Sequence, residues 1–337
     1  MRKLFAALVG LIVGGPVAVA PAQPSALRGT IAVDGSSTVF PITEAAAAAF
    51  GQEFPNVNVT VAVSGTGGGF KRFVRGETDI SDASRPISAD EFKLAKENGV
   101  QFIELPVALD GLSVVVHPAN TWATELRIED LRAIYLEDGA ARKWSDINPA
   151  WPAETIKVFS PGTDSGTYDY FKEVVVPKGK SFRIDMSTSE DDNVLVTGVT
   201  GDKYAIGYFG ASYYFENRAK LRAVPIVNPE TGEAVLPEPD DVIDGSYSPL
   251  SRPLFIYVNL TSLRRPEVRE FVEFYLGHDG EFAEQVEFVP IPEEIGRTAA
   301  DFLKRRLSGT TYLTADGEKR EGRLAELYSP EHLVDTK

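Results

Sequence analysis

A repeated local pattern constrains the fold of this chain more than any other feature of its sequence. A short β-type segment, then a loop of small polar residues, then a helical segment occurs three times in its first half. The predicted strands are Thr30–Val33, Asn56–Val63 and Ile156–Phe159. The second of them, NVNVTVAV, alternates polar and apolar residues, as expected for a half-buried strand. Strands that alternate with helices predict an α/β fold with a mainly parallel sheet covered by helices.

The three loops share one composition and predict one kind of site. They are DGSST (Asp34–Thr38), SGTGGG (Ser64–Gly69) and TDSGTY (Thr163–Tyr168). Serine and threonine before a helix can simply cap it, and that interpretation stays open for each loop. Glycine lets the backbone approach a ligand closely, and a helix N-terminus adds unpaired N–H groups and partial positive charge. Three such loops at the carboxyl ends of parallel strands can converge on one crevice and bind an anion.

The N-terminus predicts export. Arg2 and Lys3 precede a short apolar segment, and an Ala-Pro-Ala cleavage signal ends at Ala22. We interpret residues 1–22 as a signal peptide, so the mature protein is expected in the periplasm or cell-envelope space. A membrane anchor is the alternative, but Gly14–Pro16 interrupts the apolar segment and leaves it too short.

Composition limits the partners and the chemistry. A net charge of −15 argues against nucleic-acid binding and means that local donors must hold any anion. The chain contains no cysteine, so it uses neither disulfides nor thiol chemistry. Its 337 residues are enough for two domains of ordinary size. No metal-binding spacing of ligands is present, and we expect no metal and no cofactor.

A hydrolase with Ser165 as nucleophile is the main enzymatic alternative. Such a serine needs a base within hydrogen-bond reach, and DSGTY is not the G-x-S-x-G elbow. The three histidines, His117, His278 and His332, occupy positions that are ordinary for structural residues. We therefore expect a binding protein and not an enzyme.

Arg85 is a candidate ligand for the anion. It lies in SDASRPIS, and its guanidinium could present a fork of N–H donors to two oxyanion oxygens. The alternative is an ordinary surface arginine paired with a nearby acid.

At the level of motifs, the chain resembles a known family. The segments DGSSTVFPI, SGTGGGFKRF, DISDASRPIS, ALDGLSVVV, GTDSGTYDYF and AIGYFG follow in this order. Together they resemble the phosphate-binding proteins of bacterial ABC phosphate importers, the PstS type. The resemblance implies a two-domain periplasmic-binding-protein fold with phosphate in the interdomain cleft. It also implies closure of the domains over phosphate and docking of a monomer on a membrane ABC permease.

The resemblance carries binding roles over to particular positions. Hydroxyl and backbone N–H donors are implied at Ser37, Thr38 and Val39 in the first loop, at Thr66 and Gly67 in the second, and at Ser165, Gly166 and Thr167 in the third.

The chain departs from the family pattern at two positions. Some members have an arginine four residues before the serine of Ser-Gly-Thr, where this chain has Pro161. The same members have an aspartate two residues before the proline of the SRP loop, where this chain has Ser84, which we retain as a candidate phosphate ligand. Arg85 is then expected to supply the missing guanidinium.

The missing carboxylate matters for selectivity. Hydrogen phosphate can donate a hydrogen bond to a buried carboxylate, whereas sulfate has no proton to offer and is repelled. Candidates are Asp82, Asp110, Asp164 and Asp192, and we prefer Asp110 and Asp82 because they lie beside segments expected near the cleft. For each of them a turn or cap role is the alternative.

We expect domain one to comprise residues 26–108 plus 252–337, and domain two residues 109–251. The chain would cross between them near Asp110 and again near Arg252. Three rival functions stay open: a binding protein for sulfate or molybdate, a secreted phosphatase, and an adhesion or matrix protein of the same fold.

Overall fold

The computed structural model describes residues 27–139, 141–163, 165–189, 191–286, 288–320 and 322–336. The predicted signal peptide and Asp164 lie outside these residues.

Strands and helices largely alternate along the first two thirds of the chain. The strands are β1 Gly29–Gly35, β2 Val57–Val63, β3 Ile80–Ala83, β4 Phe102–Val116, β5 Lys157–Pro161, β6 Ser187–Ser189, β7 Ala205–Gly210, β8 Arg222–Ala223, β9 Ile226–Val227, β10 Ala234–Val235 and β11 Ser251–Asn259. The helices are α1 Phe40–Glu53, α2 Thr66–Phe73, α3 Ala89–Glu97, α4 Ile128–Tyr135, α5 Trp144–Ile147, α6 Gly166–Val175, α7 Asp192–Thr200, α8 Ala211–Glu216, α9 Pro239–Ile243, α10 Pro266–Gly277, α11 Asp279–Gln285, α12 Glu293–Arg305 and α13 Leu324–Leu327.

Most strands form one mixed sheet in the order β2-β1-β3-β11-β4-β7-β5-β6, and β8 also pairs with β4. Pairing is parallel among β1, β2 and β3 and among β5, β6 and β7, but β11 and β4 run antiparallel to their neighbours. The expectation of a mainly parallel sheet is therefore wrong for its centre. The reason is that the chain passes from the first half of the sheet to the second along β4 and returns along β11, so these two strands run in opposite directions.

The long strand β4 joins two halves of the molecule. Its residues Phe102–Gly111 pair with β11, and Leu112–Val116 pair with β7. We call the part built on β1, β2 and β3 lobe one, the part built on β5, β6 and β7 lobe two, and β4 and β11 the hinge strands. The domain limits expected from the sequence stay a prediction.

Helix α2 begins at Thr66, four residues before the start expected from the sequence. Its glycines explain the difference, because α2 packs directly on β1. A Cβ atom on Gly69 would lie 2.6 Å from the Gly35 Cα and 2.9 Å from the carbonyl oxygen of Asp34. The Gly-rich segment is thus the first turn of a closely packed helix and not a free loop.

Helix α6 is held over lobe two by aromatic packing. The ring of Phe171 stacks on that of Tyr208 with centroids 3.7 Å apart. The Tyr208 hydroxyl lies 2.7 Å from the Ser160 Oγ on β5. These contacts fix the direction in which the other face of α6 points.

Within the part of the chain that the structure describes, no helix is long and apolar enough to span a membrane.

Candidate anion-binding site

The first two polar loops and the SRP loop meet at one edge of lobe one. Strands β1, β2 and β3 end side by side, with Gly35 in register with Val63 and with Asp82. The Ser64 N–H donates to the Gly35 carbonyl at 3.2 Å, and the Ser36 N–H donates to the Asp82 carbonyl at 3.0 Å. Parallel strands thus bring their carboxyl ends, and the loops that follow, to one place.

The N-cap of α1 is Val39, which has no side-chain capping bond, and the first loop is organised by Ser36. The buried Ser36 Oγ accepts from the N–H groups of Thr38 at 3.2 Å and Val39 at 3.4 Å. The second bond is long and weak, so the Val39 N–H proposed as a phosphate donor is only loosely held. Ser37 is half-buried at the turn, and Thr38 is buried with its hydroxyl directed at Arg252.

The second loop joins the SRP loop. The Thr66 Oγ1 lies 3.0 Å from the Ser84 Oγ and accepts from the Ser84 N–H at 3.2 Å. The N-cap of α2 is Gly65, at φ 75°, which has no side chain to cap the helix. The first N–H groups of α2, including that of Gly67, therefore have no intrahelical partner and can be donated to a ligand.

Arg85 is already paired. Its guanidinium makes a two-point contact with Glu91, at 2.8 and 2.9 Å, and donates to the Pro86 carbonyl at 3.0 Å. The hydrogen bond to Glu91 is the main cause that raises the pKa of Arg85. Arg85 lies near the second loop, since a Cβ on Gly67 would be 3.9 Å from its Nη2. To bind an anion it would have to give up part of a good ion pair.

A second arginine, which the sequence motifs do not indicate as a candidate ligand, lies between the lobes. Arg252 is 9% exposed and is the second residue of the hinge strand β11. Its Nη2 donates to the Thr38 Oγ1 at 3.3 Å, and its Nε lies 3.5 Å from the Asp110 Oδ2. Its Nη1 lies 3.5 Å from the Glu173 Oε2.

In these contacts the N–H donors of Arg252 make only long and therefore weak hydrogen bonds. Distances of 3.3–3.5 Å are long for charge-assisted bonds, which are usually about 2.7–2.9 Å. The buried Nε has no hydrogen-bond partner among the described residues. A buried guanidinium with spare donors is what an oxyanion site requires.

Lobe two supports Arg252 from the other side. The guanidinium lies 3.6 Å from the ring centroid of Tyr170, whose hydroxyl donates to the Pro249 carbonyl at 2.8 Å. Because residues four and three apart share a helix face, Gly166, Tyr170 and Glu173 lie on the same side of α6. The N-terminus of α6 is therefore one turn from Arg252.

Ser165 is the N-cap of α6. Its Oγ accepts from the Thr167 N–H at 3.2 Å, which is the capping role that the sequence left open. Each of the three histidine rings makes a contact with nearby backbone. His117 accepts from the Ala119 N–H, and His278 and His332 contact the carbonyls of Phe274 and Leu327. The described contact of the Ser165 side chain is that of a helix cap.

The two preferred carboxylates have different surroundings. Asp82 points into lobe one, towards Thr43 and Tyr275, and neither of its oxygens has a hydrogen-bond partner among the described residues. Burial raises its pKa to about 8, and the neighbouring charge of Asp34 adds to this. Asp82 is thus a buried carboxyl group behind the site.

Asp110 lies in the site itself. It is directly opposite Arg252 in the β4–β11 ladder, so the two side chains share one face of the sheet. Burial raises its pKa, and the charge of Arg252 opposes that rise. Of the other candidates, Asp192 is the first residue of α7, after the N-cap Asp191. No cluster of potential metal ligands occurs within the described ranges.

A cavity of about 440 Å³ borders the hinge strands. Leu109, Arg252 and Pro253 are among the residues that line it. Its walls carry charges of both signs, with Glu230 and Glu233 on the acidic side and Arg323 as a second arginine. Arg252 therefore borders open space as well as the contacts described above.

Comparison with known proteins agrees with this geometry. A family model described as a PBP superfamily domain matches residues 20–279. Protein SphX of Synechococcus elongatus is 45% identical over 292 residues, which are 86% of this chain and 86% of that protein. The phosphate-binding protein PstS of Staphylococcus saprophyticus is 40% identical over 268 residues, covering 79% of this chain and 82% of that one.

A solved structure, described as a possible phosphate binding protein from Planctomyces limnophilus, matches with a TM-score of 0.80 and 46% identity. The match covers 84% of this chain and 100% of that one. The fold and the site thus define a two-lobed binding protein of the PBP superfamily, which confirms the expected fold class. Within that superfamily the chain belongs to the family of PstS-type phosphate-binding proteins.

Proposed function

We propose that this protein captures inorganic phosphate between its lobes and delivers it to a membrane ABC permease as an exported monomer. Its relatives are named for phosphate binding, and its own polar loops converge with a buried arginine. The observation that carries the proposal is Arg252, which is 9% exposed and has weakly used donors between the two lobes.

Each lobe contributes part of the phosphate site. Lobe one offers Thr38, with Ser37 and the Val39 N–H beside it, and the N-terminus of α2 at Thr66 and Gly67. Lobe two offers the N-terminus of α6, where Gly166 and Thr167 follow the cap Ser165. Neutral hydroxyl and N–H donors suit a dianion in a chain of net charge −15, because they bind it without further charged side chains that would have to be desolvated. Arg252 adds the charged fork.

Phosphate would stabilise the closed arrangement of the lobes. A ligand held by donors from both lobes binds the closed state more tightly than the open one, and so shifts a pre-existing equilibrium. The bending point would be where β4 changes partners, between Gly111 and Leu112. This is a hinge closure around a ligand.

Asp110 is the proposed acceptor of the hydrogen bond that the proton of hydrogen phosphate donates. It lies against Arg252, whose positive charge favours the ionised form and so opposes the rise that burial causes in the pKa of Asp110. An ionised Asp110 would accept a hydrogen bond from hydrogen phosphate and repel sulfate. Selection of phosphate over sulfate or molybdate follows from this contact.

Calorimetric titration tests the proposal. The mature, phosphate-stripped protein is titrated with phosphate alone and then with a large excess of sulfate present. We expect tight one-to-one binding that survives the sulfate. If sulfate displaces phosphate at comparable concentration, the proposed specificity is wrong, and if no oxyanion binds, the proposed function is wrong.

A further inference from the structure

We propose that Glu173 sets the affinity of the site by competing with the bound anion for Arg252. The proposal rests on the proposed function, because the anion in question is phosphate. It concerns a residue outside the three polar loops.

Glu173 reaches Arg252 from lobe two. It lies on α6 three residues after Tyr170, whose ring stacks against the same guanidinium. The Glu173 Oε2 is 3.5 Å from the Arg252 Nη1. Its charge also contributes, after the hydrogen bond to Glu91, to the raised pKa of Arg85 on lobe one. Glu173 therefore lies within electrostatic range of both arginines that border the cleft.

One guanidinium is thus shared by two carboxylates. Asp110 approaches Arg252 along the ladder, and Glu173 approaches it from α6. Asp169 on α6 is a third acid within electrostatic range of Arg252. An incoming phosphate adds further negative charge, and like charges at such distances raise the free energy of the complex.

The two contacting carboxylates differ in how easily they can leave. The Asp110 side chain is 2% exposed and belongs to the part of β4 that pairs with β11, so it stays in place. The Glu173 side chain is 56% exposed, so it can turn into water with little desolvation cost. Phosphate should therefore displace Glu173 and keep Asp110.

The Glu173 charge weakens phosphate binding whether or not phosphate displaces the Glu173 side chain completely. If Glu173 leaves, its contact with Arg252 is lost on binding and opposes binding by that amount. If it stays, its charge repels the phosphate directly. In both cases removing the charge strengthens binding, and an exposed ion pair predicts a change of about two- to five-fold in the dissociation constant.

The test compares Glu173→Gln with Glu216→Gln. Glu216 is an exposed acid at the end of α8, the helix whose Ala211 packs near Gly111. Its loss changes the net charge equally without touching Arg252. Phosphate is titrated into the full mature protein and both variants at low salt and in 1 M sodium chloride, where the Debye length falls to about 3 Å.

We expect Glu173→Gln to bind phosphate about three-fold more tightly than the wild type at low salt. The gain should shrink towards none in 1 M salt, whereas Glu216→Gln should match the wild type throughout. Unchanged or weaker binding by Glu173→Gln would overturn the inference alone, as would a gain shared equally by Glu216→Gln. A wild-type protein that binds no phosphate would overturn the proposed function and this inference with it.

Discussion

The SRP segment and the hinge strands each carry an aspartate and an arginine, but they arrange them in opposite ways. In the SRP segment, Asp82 and Arg85 are three residues apart in sequence, yet their side chains separate. Asp82 enters lobe one, and Arg85 turns to Glu91. In the hinge strands, Asp110 and Arg252 are distant in sequence but lie opposite each other in one ladder.

This difference shows that an arginine is available to a ligand according to its tertiary partners and not its local motif. Arg85 makes charge-assisted bonds of 2.8 and 2.9 Å, so its charge is already neutralised. Arg252 is more deeply buried, but its polar contacts are 3.3–3.5 Å long. A ligand gains most from the guanidinium whose desolvation is complete and whose hydrogen bonds are unmade.

The largest effect on phosphate binding should come from Arg252→Ala. We expect phosphate binding to weaken by about 2–4 kcal/mol, since one partner of a buried charge contact is removed. Arg252→Lys should recover part of the loss, because a lysine keeps the charge but not the planar fork. Titration calorimetry measures both. Binding by Arg252→Ala at the wild-type level would show that the anion lies elsewhere.

Asp82→Asn tests whether that carboxyl group belongs to the core. The folded pKa of about 8 lies above the unfolded value near 3.8, so the folded state binds more protons between these pH values. The stability of the wild type therefore falls as the pH rises through this window. The variant should escape that fall and gain on the order of 5 kcal/mol in the free energy of unfolding relative to the wild type between pH 4 and pH 8.

Urea unfolding of both proteins at several pH values between 4 and 8 measures the difference. A difference that stays constant with pH would mean that Asp82 titrates normally and is not buried as described. Phosphate affinity should change little, in contrast to substitutions in the hinge strands.

Asp110→Asn should change selectivity more than it changes stability. Without a carboxylate, the site loses both the acceptor for the phosphate proton and the repulsion of sulfate. We expect the preference for phosphate over sulfate to fall about ten-fold, in line with a charged hydrogen bond of about 1.5 kcal/mol. Competition titrations give this ratio. An unchanged ratio would exclude Asp110 as the residue that distinguishes the two anions.

Of the substitutions near the cleft, Arg85→Ala should weaken phosphate binding least. Because Glu91 already satisfies Arg85, we expect phosphate binding to weaken by less than about 1 kcal/mol. Glu91→Gln provides the matched control, since it frees the Arg85 guanidinium and should strengthen binding slightly. A loss as large as that of Arg252→Ala would reverse the ranking of the two arginines.

Composition predicted the polar loops, and the local sequence pattern predicted β1 and β2 of lobe one. The alternation in Asn56–Val63 marked β2 correctly within one residue. No strand is predicted over Phe102–Gly111 in β4, because this segment is buried on both faces and shows no alternation that would separate a strand from other buried segments. Residues 225–251 are rich in proline, aspartate, glycine and glutamate, a composition that predicts a loop, but they contain β9, β10 and α9, which are too short for periodicity to detect.

The site was predictable only in its local parts. Hydroxyl and glycine loops before helices are visible in the sequence, but the partner of Arg85 depends on how α3 returns to the SRP loop. Arg252 depends on pairing between β4 and β11, which no local pattern encodes. One signal was present: Arg252 is a charged residue at the start of the apolar strand that continues through Leu254–Val258, where burial is expected and a charge needs a reason.

The most direct test of the account is a crystal structure of the mature protein with phosphate. We predict a phosphate oxygen within hydrogen-bond distance of the Arg252 guanidinium, with Asp110 beside it and Arg85 still paired with Glu91. Phosphate bound to Arg85, with Glu91 displaced and Arg252 unchanged, would contradict the central claim.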